Sequence, residues 1–144
     1  MPLSTSVANS ILALILNATA WTSIADNAAS SPATNFYISG HTADPGAAGN
    51  QTTNELSYTG YARQALARST SGFTAPSSGS SSNAAQVSLG ACTAGSGTMT
   101  YFGIGLASSG SGTLLGRGAL TSSLAISAGI TPIAAIGAIT FAIS

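Results

Sequence analysis

Short apolar runs broken by glycine- and serine-rich turns fill most of the chain, and a polypeptide punctuated this often has little room for long helices. Over residues 35–42, Phe36, Ile38 and Gly40 alternate with Tyr37, Ser39 and His41, which is the two-residue period of a strand. Further strand-like runs cover residues 62–68, 86–89, 98–106, 113–120, 124–127 and 138–143. The turns between them are Asp44-Pro45-Gly46, Ala94-Gly95-Ser96-Gly97, residues 108–112 and Ala128-Gly129. In the first of these, proline presets the backbone, glycine accepts positive φ and the aspartate bonds back to nearby amides. Residues 77–82, one glycine among serines, read as a flexible loop or hairpin tip. Several short strands at this spacing indicate a sandwich or barrel, and no repeat of fixed period points to a solenoid. The expectation is a mainly β, two-sheet jelly-roll-like sandwich over residues 31–144.

An N-terminal arm, residues 1–30, precedes that body. Residues 5–17 form an apolar helix capped by Ser4 or a neighbouring hydroxyl, with Val7, Ile11, Leu14 and Ile15 along one stripe. Leu12 and Leu16 widen the stripe, so the helix is apolar on most sides and must be buried against its own sheet or a neighbouring subunit. Trp21 and Ile24 extend this contact until Asp26-Asn27 ends it. The block at 11–16 followed by Ala18-Thr19-Ala20 imitates a secretory signal. No basic residue precedes Arg63, however, so no signal peptide is expected. The apolar tail at 130–143 is too short for a membrane span and contains Pro132 and Gly137, so it reads as a turn and terminal strand.

The surface of such a fold is built almost without charge. The 144 residues include three Arg, no Lys and three acids, for a formal net charge of zero. Absence of lysine removes the P-loop and Schiff-base chemistry. A neutral chain has no basic face for a phosphate backbone, so nucleic acid is not an expected partner. One Cys and one His cannot supply a zinc site, and no cofactor is expected. Soluble domains usually carry a net charge of magnitude about 2 to 8, because neutral surfaces associate. A neutral surface of Ser, Thr, Gly, Asn and Ala therefore suits a component of an assembly. With 44% hydrophobic residues and a mean hydropathy of +0.38, the chain is not expected to be disordered.

Few residues could carry chemistry. His41, Asp44 and the many serines allow a Ser-His-Asp hydrolase by composition, yet no Gly-x-Ser-x-Gly elbow singles out a serine. The plainer reading ends a strand at His41 and starts a turn at Asp44. Asp44, Asn50, Asn54 and Glu55 offer oxygen ligands to a hard cation, but without calcium-loop spacing they describe a hydrogen-bonded surface loop. Gly103-x-Gly105 lacks the third glycine of a dinucleotide fingerprint, since Ser108 stands there. Cys92 lies in an apolar setting and reads as a buried thiol. Arg63, Arg68 and Arg117 face only Asp26, Asp44 and Glu55, which invites pairing within the fold or across subunits, with Arg63 close in sequence to Glu55. Tyr58 and Tyr61 flank Gly60 as interface aromatics or as cover for a sheet edge. The candidate interaction residues are thus Val7, Ile11, Leu14, Ile15, Trp21, Glu55, Tyr58, Tyr61, Arg63, Arg68 and Arg117.

The order of these features carries a resemblance. An apolar N-terminal helix is followed by Tyr37, His41-Thr42-Ala43-Asp44-Pro45-Gly46, Asn54-Glu55, Gly60-Tyr61-Ala62-Arg63, Phe102-Gly103-Ile104-Gly105 and Leu114-Leu115-Gly116-Arg117-Gly118-Ala119-Leu120. This set resembles small structural proteins of tailed bacteriophages labelled tail-fibre, capsid decoration or cement protein. The resemblance implies a virion component, made in the host cytoplasm, without enzymatic activity. In its decoration form it implies a homotrimer on the outer surface of the phage head that clamps major capsid subunits, with no membrane and no nucleic acid as partners. A tail-fibre or receptor-binding role is the alternative, and a small hydrolase using His41 a remote one.

Overall fold

The computed structural model describes residues 3–25, 28 and 31–143. The chain forms two compact units, each built from separated segments. One comprises Met1–Asn35, Leu66–Gln86 and Ala134–Ser144, and the other Phe36–Ala65 and Val87–Ile133.

In the first unit, helix α1 spans Thr5–Leu16. Ser4 is its N-cap, with its hydroxyl accepting from the Val7 amide at 3.3 Å, so one orphan donor of the first turn is satisfied. The buried stripe is Ala8, Leu12 and Leu16. This corrects the expected stripe: Val7, Ile11 and Leu14 are half-buried and Ile15 is exposed. Because the helix is apolar on most sides, periodicity alone leaves its rotation open, and close packing decides it. A Cβ added at Gly79 would meet the Ala8 methyl at 3.4 Å, so the small residue at position 8 is the one that admits a neighbouring backbone. Beyond the helix, Trp21 and Ala25 close a tight turn through the bond from the Trp21 amide to the Ala25 carbonyl at 2.7 Å. Trp21 is half-buried, while Ile24 is exposed and does not extend the apolar contact. The expected stop at Asp26-Asn27 lies outside the described residues.

The serine run is more ordered than its composition suggests. Ser80–Ser82 forms strand β3, pairing antiparallel with Thr140–Ala142 (β8) so that Ser81 lies opposite Phe141. Ser81 is buried and its hydroxyl donates to the Thr74 carbonyl at 2.7 Å. Only the reversal at Ser77, whose amide and carbonyl both bond Ser80, keeps the expected hairpin-tip character. Phe73, fully buried, meets Phe141 edge to face at 5.4 Å between ring centroids, a favourable aromatic geometry.

The second unit holds most of the main sheet. The strands are β1 (Asn35–His41), β2 (Gln64–Ala67), β5 (Gly97–Gly105) and β6 (Leu114–Ile126), in the order β2-β1-β5-β6. Both β1/β5 and β5/β6 are antiparallel, with Ile38 opposite Ile104 and Phe102 opposite Gly118. Two further short strands, β4 (Val87–Ser88) and β7 (Ile133–Ala134), pair with each other. The expected strands at 113–120 and 124–127 are one element. Its register with β5 jumps between Ala119 and Leu124, so the intervening residues bulge opposite Thr100. Phe36, Ile38, Leu56, Leu89, Met99, Ile104 and Ile126 form the apolar core. The fold is mainly β with one short N-terminal helix and several antiparallel ladders, compatible with a jelly-roll-like sandwich. No helix among the described residues is long and apolar enough to cross a membrane.

Candidate functional site

The charged and aromatic residues around 55–63 converge on one centre of the second unit. The Gly60 turn, at φ +98, folds Tyr61 back through the bond from its amide to the Tyr58 carbonyl and sends Arg63 towards Glu55. Arg63 Nε and Nη2 donate to the two oxygens of Glu55 at 2.6 and 2.7 Å, the bidentate fork that only arginine provides. The remaining edge of the guanidinium donates to the Ala107 and Gly110 carbonyls at 2.9 and 2.8 Å. With its side chain 2% exposed, Arg63 is buried and nearly saturated with acceptors. Its pKa is raised, chiefly by the bond to Glu55. The Tyr61 hydroxyl donates to Glu55 Oε1 at 2.8 Å and accepts from the Gly40 amide at 3.1 Å. Burial first, and then the bond to Glu55, holds that hydroxyl protonated far above the usual tyrosine range. A shallow recess of about 220 Å³ opens here, lined by Glu55, Tyr61, Arg63 and Ser108 to Gly110.

Tyr58 meets Tyr61 edge to face at 5.5 Å, but its hydroxyl turns inward to the Leu89 and Gly90 carbonyls, both at 2.9 Å. It is buried, so it acts as a core residue of this chain and is not an exposed interface aromatic. Arg117 pairs elsewhere, with its Nε donating to Asp44 Oδ1 at 2.5 Å on the surface. The Gly46 amide first, and Arg117 second, hold the Asp44 carboxyl below its ordinary pKa. Arg68 and the helix residues Val7, Ile11, Leu14, Ile15 and Trp21 belong to the first unit. There, Arg68 Nε and Nη2 donate to the Ile15 and Leu14 carbonyls, both at 2.6 Å, so this arginine caps the C-terminus of α1.

Ser39 and His41 share the strand face opposite Phe36 and Ile38, and both are fully buried. Ser39 Oγ lies 2.8 Å from His41 Nε2, and His41 Nδ1 lies 2.9 Å from the Thr53 carbonyl. Because a carbonyl only accepts, Nδ1 carries the proton and Ser39 donates to Nε2. Space for this pair comes from Gly103, where a Cβ would approach His41 Nε2 to 2.7 Å and Ser39 Oγ to 2.9 Å. Burial lowers the His41 pKa, partly opposed by the Thr53 bond. The dyad has the atoms of a nucleophile and its base but no exposed surface, and what it does here is pin the 44–54 loop to the sheet.

That loop is tied down by its own side chains. Asp44 Oδ1 accepts from the Gly46 amide at 2.8 Å, as the Asp-Pro-Gly turn predicts. Asn50 Oδ1 accepts from the amide and hydroxyl of Thr52, and Asn54 Nδ2 donates to the Asp44 carbonyl. No group of three or more His, Cys, Asp or Glu able to hold a metal occurs among the described residues. Gln51, fully buried, was not singled out by the sequence. Its amide group makes a two-way pair with the Ala107 backbone, donating at 3.2 Å and accepting at 2.9 Å. Asn83 does the same work in the first unit, donating to the Ala85 and Ala135 carbonyls and accepting from the Ile139 amide. Cys92 is a free buried thiol, as its surroundings suggest.

Comparison with known proteins supplies what this geometry does not. The family model described as Podophage GP4 fiber I protein gp80 matches residues 2–142. No curated protein matches the chain.

Proposed function

Since the chain belongs to the Podophage GP4 fiber I protein gp80 family and is a phage structural protein, we propose that it is a building unit of a tail fibre. The match over residues 2–142 carries this reading, because it spans both compact units and its printed description is that of a fibre. The action proposed is adhesive, without turnover or cofactor. In support, the Ser39–His41 dyad is sealed from solvent, and Arg63 and Glu55 spend their hydrogen bonds inside the fold. Other copies of the chain are the first partners expected, and neither nucleic acid nor membrane enters this proposal, the former for want of a basic face.

A second reading places the protein on the phage head as a trimeric decoration or cement protein that clamps major capsid subunits. The resemblance carried by residues 41–63 and the neutral composition favour it. Electron microscopy of virions labelled with an antibody to this chain separates the two. Label confined to tail appendages is the expected result, and label distributed over the icosahedral head would overturn the fibre assignment in favour of decoration.

A further inference from the structure

Three elements of the second unit enclose the ring of His41. From β1, Ser39 Oγ donates to Nε2 at 2.8 Å, and this is the only hydrogen bond of that hydroxyl among the described residues. From β5, the backbone at Gly103 comes so near that a Cβ there would lie 2.7 Å from both Nε2 and the Leu114 side chain. From the loop over residues 44–54, the Thr53 carbonyl accepts from Nδ1 at 2.9 Å. The charged neighbours are Glu55, whose backbone bridges that of His41, and Arg63, which pairs with Glu55. The Tyr61 hydroxyl bonds the same carboxylate, Tyr101 is the cross-strand partner of His41, and Asp44 pairs with Arg117 where the loop begins. Each of these charges is matched by one of opposite sign. A neutral ring leaves the cluster balanced, and a protonated ring adds a positive charge with no partner.

The geometry points to a proton-operated latch, in which protonation of His41 lifts the 44–54 loop from the sheet while β1, β5 and β6 stay paired. Protonation makes Nε2 a donor aimed at Ser39, whose own hydrogen is left without an acceptor, and it puts a cation where no water reaches. Relief requires water at the ring, and one wall can admit it. Ser39 and Gly103 are opposite each other in the β1/β5 ladder and cannot separate without breaking it. The loop is held together by its own bonds, from Asp44 to the Gly46 amide, from Asn50 to Thr52 and from Asn54 to the Asp44 carbonyl, so it can move as a body. Asn54, at φ +55, ends it beside Glu55, which Arg63 and Tyr61 anchor independently of the ring. Gln51 carries the movement further. Its amide donates to the Gly112 carbonyl at 3.0 Å and its side chain grips the Ala107 backbone, in a slot that Gly105 and Gly112 keep open. Lifting the loop withdraws Gln51, so the exposed residues 108–111 keep only the Arg63 bonds to Ala107 and Gly110. The surface formed by these two loops then has one arrangement at neutral pH and another in acid. Burial lowers the His41 pKa, as a closed state that accepts only the neutral ring requires. The latch is therefore fully closed above about pH 6.5 and released as pH falls from there through the folded pKa. Nothing in this inference depends on where the protein sits in the virion.

The test follows amide hydrogen exchange of the full-length protein by nuclear magnetic resonance between about pH 7 and 5, with rates corrected for the intrinsic pH dependence of exchange. The reporters are the amides of Gln51, bonded to Gly112, of Ala107, bonded to Gln51, and of Thr42, bonded to Asn54. They are expected to exchange ahead of the Ile38 and Ile104 amides of the sheet, through an opening that leaves the sheet intact. That opening should grow as pH falls below about 6.5, approaching the roughly tenfold gain per pH unit of a single proton. In His41→Gln, which has no titrating ring, the reporters should lose this pH response. Asp44 does not mimic the effect, because the Gly46 amide and Arg117 keep its carboxyl below the ordinary range. Reporters that exchange no faster than the sheet, reporters whose opening is flat down to about pH 5, or a wild-type pH response in the folded variant would each overturn the proposal. If the variant fails to fold, the wild-type imidazole resonances decide: loop opening that does not follow the titration of His41 itself overturns the latch, and opening that does follow it supports it.

Discussion

Arg63 shows how a nearly uncharged protein uses its few charges. A guanidinium taken out of water is costly unless its donors are met, and here a carboxylate and two carbonyls meet them. The pair is therefore a commitment of the fold: removing one partner leaves the other buried and uncompensated. Glu55→Ala is expected to cost about 3 to 5 kcal/mol in urea-induced unfolding, several times the ~0–1 kcal/mol of a surface pair. A loss below about 1 kcal/mol would show that water compensates Arg63. His41 makes a prediction with a sign. Burial lowers its folded pKa below the unfolded value of 6.5, so the native state favours the neutral ring. Its contribution is complete above about pH 6.5 and is lost as pH falls from there through the folded pKa. His41 is the sole histidine. A decline in stability between about pH 6.5 and 5, above most of the carboxylate range, should therefore vanish in His41→Gln.

Among the elements, α1 and β3 show propensity giving way to context. Serine is a poor strand former, yet Ser80–Ser82 pairs with β8 because the neighbouring Phe141 packs on Phe73 and the Thr74 side chain and backbone bond Ser81 and Ser82. In α1, no basic residue occupies the last turn, and Arg68 supplies the missing cation from more than fifty positions away. Arg68→Ala should therefore uncap α1 and lower stability by about 1 to 2 kcal/mol, with loss of helical ellipticity at 222 nm before the global transition. Coincident loss of all signals would place α1 in the same cooperative block as the sheet. The ion pair of Arg63 with Glu55 was legible because the partners lie eight positions apart. The Arg68 cap was not, since a backbone carbonyl leaves no mark in sequence.

For the whole molecule, the near absence of charge has a double role. Inside each unit it concentrates polar specificity in a small number of buried groups, among them Arg63, Ser39, His41 and Gln51 in one and Ser81 and Asn83 in the other. Outside, it leaves an adhesive rather than repulsive surface, with Leu115, Ile130, Ile133 and Ile136 exposed. A free-standing protein would be at risk of aggregation with such a surface, whereas a phage structural protein is made to be packed. Family membership and composition thus point the same way from independent grounds.

What the sequence determined by itself was local. The two-residue alternation at 35–42, the hydroxyl cap before an apolar helix and the Asp-Pro-Gly turn are set by neighbours a few residues apart, and each appears where the sequence places it. The tertiary structure alone decided which side of α1 faces inward, that Ser39 and His41 are buried together, and that Gln51 and Asn83 bind backbone 56 and 52 positions away. The reason is the same in each case. A backbone carbonyl has no residue type, and an amphipathic period cannot choose between faces that are both apolar or both small, so only packing at long range selects the partner.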